Sequence, residues 1–187
     1  QVVEIALDLQ KIGLFEWDLS LGNILIEDDK VKLFDFGYCY QFDPLNEFNS
    51  DGVNAPAFHA LERLETRYLM LALSKHQNEH GKDMTLALYG DIIKVGIKGY
   101  QKHLDYLVEN GAAEPVVNHF RSIINEWEKG ISTEENLNYC FMKDTLRSHI
   151  LDIHDDLSGE SCTPDTLLRI QHLREIAETA NWETLKS

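Results

Sequence analysis

FEWDLSLGNILI (15–26) sets Asp18 and Asn23 into an apolar run, and the line soon continues into LFDFG (33–37), where Asp35 stands between phenylalanines. Burying such groups without partners is costly, so carboxylates and a carboxamide in so apolar a setting call for a use. NILIE (23–27) and KVKLFDF (30–36) are short, β-rich runs separated by the turn-prone pair Asp28-Asp29, the pattern of a small β-hairpin. A loop leading into the first strand can aim Asp18 at a substrate hydroxyl while the carboxamide oxygen of Asn23 faces a cation. The hairpin then returns the chain so that Asp35 arrives near Asn23. Hard oxygen ligands of this kind suit Mg²⁺, which commonly takes one or two carboxylates plus phosphate and water oxygens. Gly37 lets the backbone swing away from Asp35.

Outward from this stretch the pattern is helical. VVEIALDLQKI (2–12) carries apolar residues at helical spacing and ends at Gly13, a plausible C′ glycine. Residues 37–56 read as an irregular loop, punctuated by Pro44, Asn46, Asn49, Ser50, Asp51, Gly52 and Asn54. Pro56 then suits the first turn of a helix reaching Gly81. A further helix is expected over 84–109, with Gly90, Gly96 and Gly99 as its weak points, and another from Pro115 to Lys129 with Gly130 beyond it. Ser132 with Glu135 forms a capping box before a helix to about Leu157. Thr163-Pro164-Asp165 supplies an N-cap, an N1 proline and an acidic first turn for a last helix ending near Asn181. The expected fold is mainly α with a small β-hairpin, in one domain over 1–187. Its parts are a helix (1–13), a functional loop and hairpin (14–37), a second loop (38–55) and a helical bundle (56–187).

Composition narrows the partners. The chain has 187 residues, 43% hydrophobic, enough for one sizeable core. A net charge of −15 disfavours nucleic acid and anionic lipid, both of which reward basic patches. No run of about 18 apolar residues occurs, and QVVEIALDLQ lacks the basic region and cleavage site of a signal peptide. Cys39, Cys140 and Cys162 form no C-x-x-C pair, so a reducing, cytoplasmic setting without disulfides or cysteine-bound zinc is expected.

DLSLGNILIEDDKVKLFDFG resembles the catalytic loop, hairpin and DFG segment of the protein-kinase-like superfamily, whose pattern is H-R-D-L-x-x-x-N followed by D-F-G. Asp18-Leu19 with Asn23 match the first motif and Asp35-Phe36-Gly37 the second; the helix before and the helices after resemble that family's C-terminal lobe. The resemblance implies that Asp18 accepts or orients the proton of the attacking hydroxyl, while Asn23 and Asp35 hold Mg²⁺ on the phosphates of ATP. It implies transfer of the γ-phosphoryl group to a hydroxyl acceptor, a protein Ser/Thr/Tyr or a small molecule. The family's glycine-rich loop and strand lysine belong to an N-terminal lobe. The chain begins at Gln1 and contains no such loop, so the expectation is a C-terminal lobe, inactive by itself.

Departures from the pattern point to an atypical kinase, a small-molecule kinase relative, or a catalytically retired protein-interaction module. Glu16 and Trp17 stand where the family has His and Arg, which removes the usual partner of a phosphorylated activation loop. Ser20 stands where many members carry a phosphate-contacting lysine, and no A-P-E follows the loop; 56–62 occupy the equivalent place. Glu16 reads either as a hydrogen-bonding support of the loop or as a solvated side chain, and Trp17 as packing. His76 with His80, and His149 with His154, lack a third ligand or a shared helix face, and are expected to be solvated rather than metal-bound. LMLAL (69–73) and Phe120, Ile123, Ile124 and Trp127 fit buried helix faces.

Overall fold

Helix α1 (Val2–Lys11) buries Ala6, Leu7 and Gln10 on one side and gives way to Gly13, whose φ of 79° is left-handed. Glycine is required there on two counts, because a Cβ would also lie 2.9 Å from the Phe42 carbonyl oxygen. The turn delivers the chain into strand β1 (Leu14–Glu16), which pairs antiparallel with β4 (Cys39–Gln41). Neither strand is foreseen from the sequence, and β4 falls inside the stretch expected to be irregular. Three residues are too few for alternation to register as a pattern.

Between these strands lies the expected hairpin, β2 (Ile24–Glu27) with β3 (Lys30–Leu33). Asp28 and Asp29 adopt φ of 48° and 60°, the paired left-handed geometry of a tight hairpin turn, which short polar residues tolerate best after glycine. The ladder stops at Leu33, so Phe34, Asp35 and Phe36 extend beyond it instead of continuing the strand.

The structure, a computed structural model, describes residues 1–179. Helix α2 (Ala60–Leu64) begins after His59, not at Pro56. His59 caps it: Nδ1 accepts from the Glu62 amide at 3.3 Å and lies 2.7 Å from the Tyr100 hydroxyl. That hydroxyl oxygen in turn accepts from the Leu61 amide at 2.9 Å. A π-helical turn (Glu65–Leu69) carries the chain into α3 (Met70–His80), which ends at Gly81 as expected.

Helix α4 (Lys82–Glu109) runs unbroken through its three interior glycines. They lie where neighbours press close; a Cβ on Gly96 would meet Leu61 Cδ2 at 3.0 Å. Helix α5 (Glu114–Gly130) takes Gly130 as its last residue. Helix α6 (Glu134–Ser158) is capped by Thr133, whose Oγ1 accepts from the Asn136 amide at 3.1 Å. The expected Ser132–Glu135 box is therefore displaced by one residue, because Ser132 Oγ donates to the Lys129 carbonyl at 2.6 Å and is spent on closing α5. Helix α7 (Pro164–Thr179) follows Thr163; its expected end near Asn181 lies outside the described residues.

The chain is mainly helical, and its core is centred on α4. Tyr89, Ile93, Tyr100 and Leu107 are buried there against Phe120, Ile124 and Trp127 of α5 and Leu7 of α1, and Met70 and Leu73 of α3 join the same cluster. A buried polar web ties the π turn to α6: Arg147 bridges Glu65 and Asp144, and the Tyr89 hydroxyl donates to Asp144 at 2.5 Å. His149 is buried, not solvated. Its Nε2 lies 3.1 Å from His172 Nδ1 of α7 and 3.3 Å from Ser74 Oγ of α3. His80 is exposed as expected, whereas His76 is half-buried and its Nδ1 lies 2.7 Å from Thr85 Oγ1. Among the described residues no helix is long and apolar enough to cross a membrane, and the three cysteines are free thiols.

Candidate functional site

Phe15 and Leu19 flank the loop and are both fully buried. With these two anchors in the core, Asp18 between them and Ser20 beyond them stay partly exposed, while Glu16 is buried. Trp17 packs edge-on against Phe15 at 4.9 Å and Phe58 at 5.2 Å. The Arg63 guanidinium lies over the rings of both Trp17, at 5.4 Å, and Phe58, at 4.7 Å. Trp17 Nε1 donates to Ser50 Oγ at 2.8 Å, which secures the following loop. Buried Asn49 completes that loop: Nδ2 donates to the carbonyls of Ala55 (2.9 Å) and Phe58 (3.0 Å), and Oδ1 accepts from the Asp51 amide at 2.9 Å.

Glu16 supports the loop by hydrogen bonding: its Oε1 accepts from the Asp18 amide at 2.8 Å. Only 7% of Glu16 is exposed, and its other oxygen, Oε2, is buried without a hydrogen-bond partner among the described residues. Burial is the main reason its pKa rises, and the charges of Asp18 and Asp35 push the same way against the Asp18 amide bond. Cys39 stands opposite Glu16 across the β1–β4 pair; burial first, then the Glu16 charge, pushes its thiol up.

Asp18 and Asn23 are joined directly. The Asn23 Nδ2 donates to Asp18 Oδ2 at 2.9 Å and to the Asp18 carbonyl at 3.1 Å. A short 3₁₀ turn (Leu21–Asn23) closes the spacing between them. With its nitrogen committed, the amide oxygen of Asn23 is left without a hydrogen-bond partner among the described residues. The backbone of Asn23 also accepts from the Phe34 amide at 3.1 Å, which sets Asp35 one residue past that pairing, at the open end of the hairpin. Asp35 is exposed, has a left-handed φ of 58°, and makes no hydrogen bond among the described residues.

Sequence reasoning missed Arg67. Its Nε donates to Asp18 Oδ1 at 3.2 Å, and its Nη1 reaches Asp152 Oδ1 at 2.9 Å and Asp155 Oδ2 at 3.4 Å. An arginine just before an apolar run (YLMLAL, 68–73), and an aspartate-rich run (DIHDD, 152–156) far downstream, are the signals the sequence carries of this meeting. Beside Trp17 opens a hollow of about 500 Å³, lined by Trp17, Tyr40, Gln41, Ser50 and Asp51.

Among the described residues no group of three or more His, Cys, Asp and Glu side chains is arranged to hold a metal ion unaided. The residues fit a looser demand. One uncommitted carboxylate, Asp35, and one uncommitted carboxamide oxygen, on Asn23, suit a Mg²⁺ whose remaining ligands are phosphate and water oxygens. No family model, curated protein or solved structure matches the chain.

Proposed function

We propose that the chain is the C-terminal lobe of an atypical kinase-like phosphotransferase, which moves the γ-phosphoryl group of ATP to a hydroxyl acceptor. The observation that carries this reading is the Asp18–Asn23 hydrogen bond at 2.9 Å, made at the foot of the hairpin whose far strand leads to Asp35. Asp18 accepts the proton of the acceptor hydroxyl as its oxygen bonds to the γ-phosphorus. The bond from that phosphorus to the bridging oxygen breaks, and its electron pair leaves with ADP. Such a transfer needs little covalent help from the protein, so placing the hydroxyl and orienting the base are the main tasks of these residues. Asn23 and Asp35 would hold Mg²⁺, which when bound supplies neutralising charge to the phosphates.

Trp17 and Ser50 support an atypical member, since the loop is held by a neutral bond where the resembling family uses an arginine and a phosphate. Exposed Leu25, Ile26, Phe34 and Phe36 beside the site are the surface onto which a nucleotide-covering lobe would close. They equally favour a second reading, a protein-interaction module in which Asp18 and Asp35 are relics.

Calorimetry on the full-length protein separates the two. ATP is expected to bind in the presence of Mg²⁺ and to bind at least about tenfold more weakly when Asp35→Ala removes the carboxylate, a loss of about 1.4 kcal/mol or more. Asp18→Ala is expected to leave that affinity nearly unchanged. Equal, Mg²⁺-independent affinities in wild type and Asp35→Ala would overturn the phosphotransferase reading.

A further inference from the structure

Arg67 stands on the π-helical turn between α2 and α3, a departure from regular helix that often marks a functional position. Its guanidinium divides its donors. Nη1 is spent on Asp152 and Asp155 of α6, at 2.9 and 3.4 Å, while Nε is directed alone at Asp18 Oδ1, 3.2 Å away. Asp152 is itself 7% exposed and paired on its other oxygen with Arg169 of α7. The aspartate that anchors Arg67 is therefore fixed from the far side.

A structural staple between the π turn and α6 would be complete with Nη1 and Asp152 alone. The Nε contact does something further. Oδ1 of Asp18 takes Arg67 Nε and Oδ2 takes Asn23 Nδ2, so the plane of the carboxylate is held from both edges while each oxygen keeps a lone pair for another donor. Among the described residues Arg67 is the one cation bonded to Asp18, and the catalytic loop itself offers none, because Ser20 occupies the place of the family's lysine. Burial alone would push the Arg67 guanidinium down, but the charges of Asp152, Asp18 and Asp155 hold it above its ordinary value.

We infer that Arg67 is a positioning residue of the phosphotransfer site, holding the Asp18 carboxylate aimed at the acceptor hydroxyl, with Asp152 as its anchor. The inference rests on the reading of Asp18 as the base.

Two measurements on the full-length protein test it. In steady-state kinetics Arg67→Met is expected to lower kcat roughly 10- to 100-fold with KM for Mg²⁺-ATP within about twofold, the signature of lost orientation. Arg67→Lys is expected to recover only part of the loss, since one ammonium cannot replace the fork that serves Asp18 and Asp152 together. An unchanged kcat in a folded Arg67→Met protein, or a loss confined to KM for the nucleotide, overturns the inference. The second measurement needs no turnover: Asp18→Asn is expected to shift the NMR signal of the Arg67 Nε–H and speed its exchange with water. A signal that ignores Asp18→Asn overturns the inference even in an active enzyme. A signal that responds, in a wild type that transfers no phosphate, overturns instead the reading of Asp18 as base, and this assignment with it.

Discussion

Glu16 shows how the site is built at the scale of a residue. A carboxylate buried beside Asp18, with one oxygen unpartnered, carries a raised pKa, so the folded chain binds its proton more tightly than the unfolded chain does. The resulting destabilisation is absent below the unfolded value of 4.5 and grows as pH rises through the higher folded value. Glu16→Gln keeps an oxygen for the Asp18 amide and removes the charge. At pH 7 it is expected to gain about 1 kcal/mol in urea unfolding, a gain that disappears near pH 4. A variant equally destabilised at both pH values would contradict the view that Glu16 is held under tension for the sake of the loop. The residues legible from sequence were those whose meeting is local. Asp18 and Asn23 are joined by one turn, and Asp35 follows one hairpin further along. Arg67 is separated from Asp18 by 49 positions and from Asp152 by 85. No motif encodes that approach; it exists only once α6 has packed on the π turn.

The same division between local and assembled structure holds for the elements. The hairpin, the glycine ends of α1 and α3, and the proline near the start of α5 were legible because each depends on a few adjacent residues. The β1–β4 pair was not, since LFE and CYQ acquire strand character only from one another. Glycines that weaken α4 in isolation are instead the points where Leu61, Leu7 and Leu137 close on it. Capping of α6 turns on a one-residue choice: Thr133 faces the Asn136 amide while Ser132 serves α5. Thr133→Ala is therefore expected to cost about 1 kcal/mol in chemical denaturation, the usual loss on deleting an N-cap. Ser132→Ala is expected to cost less than half as much, because its exposed acceptor can turn to water. The reverse order would restore the Ser132–Glu135 box.

At the scale of the whole molecule, five of the eight histidines (His59, His103, His119, His149 and His172) are held below their ordinary pKa, in each case first by burial. His149 is pushed down to about 3, with the neighbouring His172 and Arg169 charges adding to the effect of burial. A lowered folded value means that the unfolded chain binds the proton more readily, so stability is complete above pH 6.5 and falls as pH drops toward 3. Replacing His149 with Gln removes one such titration. The stability difference between wild type and variant is expected to move against the wild type by up to about 1.4 kcal/mol per pH unit below 6.5. A difference that stays constant from pH 7 to pH 5 would contradict the burial of a neutral His149 between α3, α6 and α7. This acid sensitivity belongs to the scaffold, whereas the proposed chemistry rests on Asp18, Asn23 and Asp35 at the rim of one hairpin. The most direct measurement is transfer of labelled γ-phosphate from ATP by the full-length protein in the presence of Mg²⁺. The proposed chemistry requires transfer by the wild type and a fall of at least about 100-fold in Asp18→Ala; transfer at the wild-type rate in that variant would contradict it.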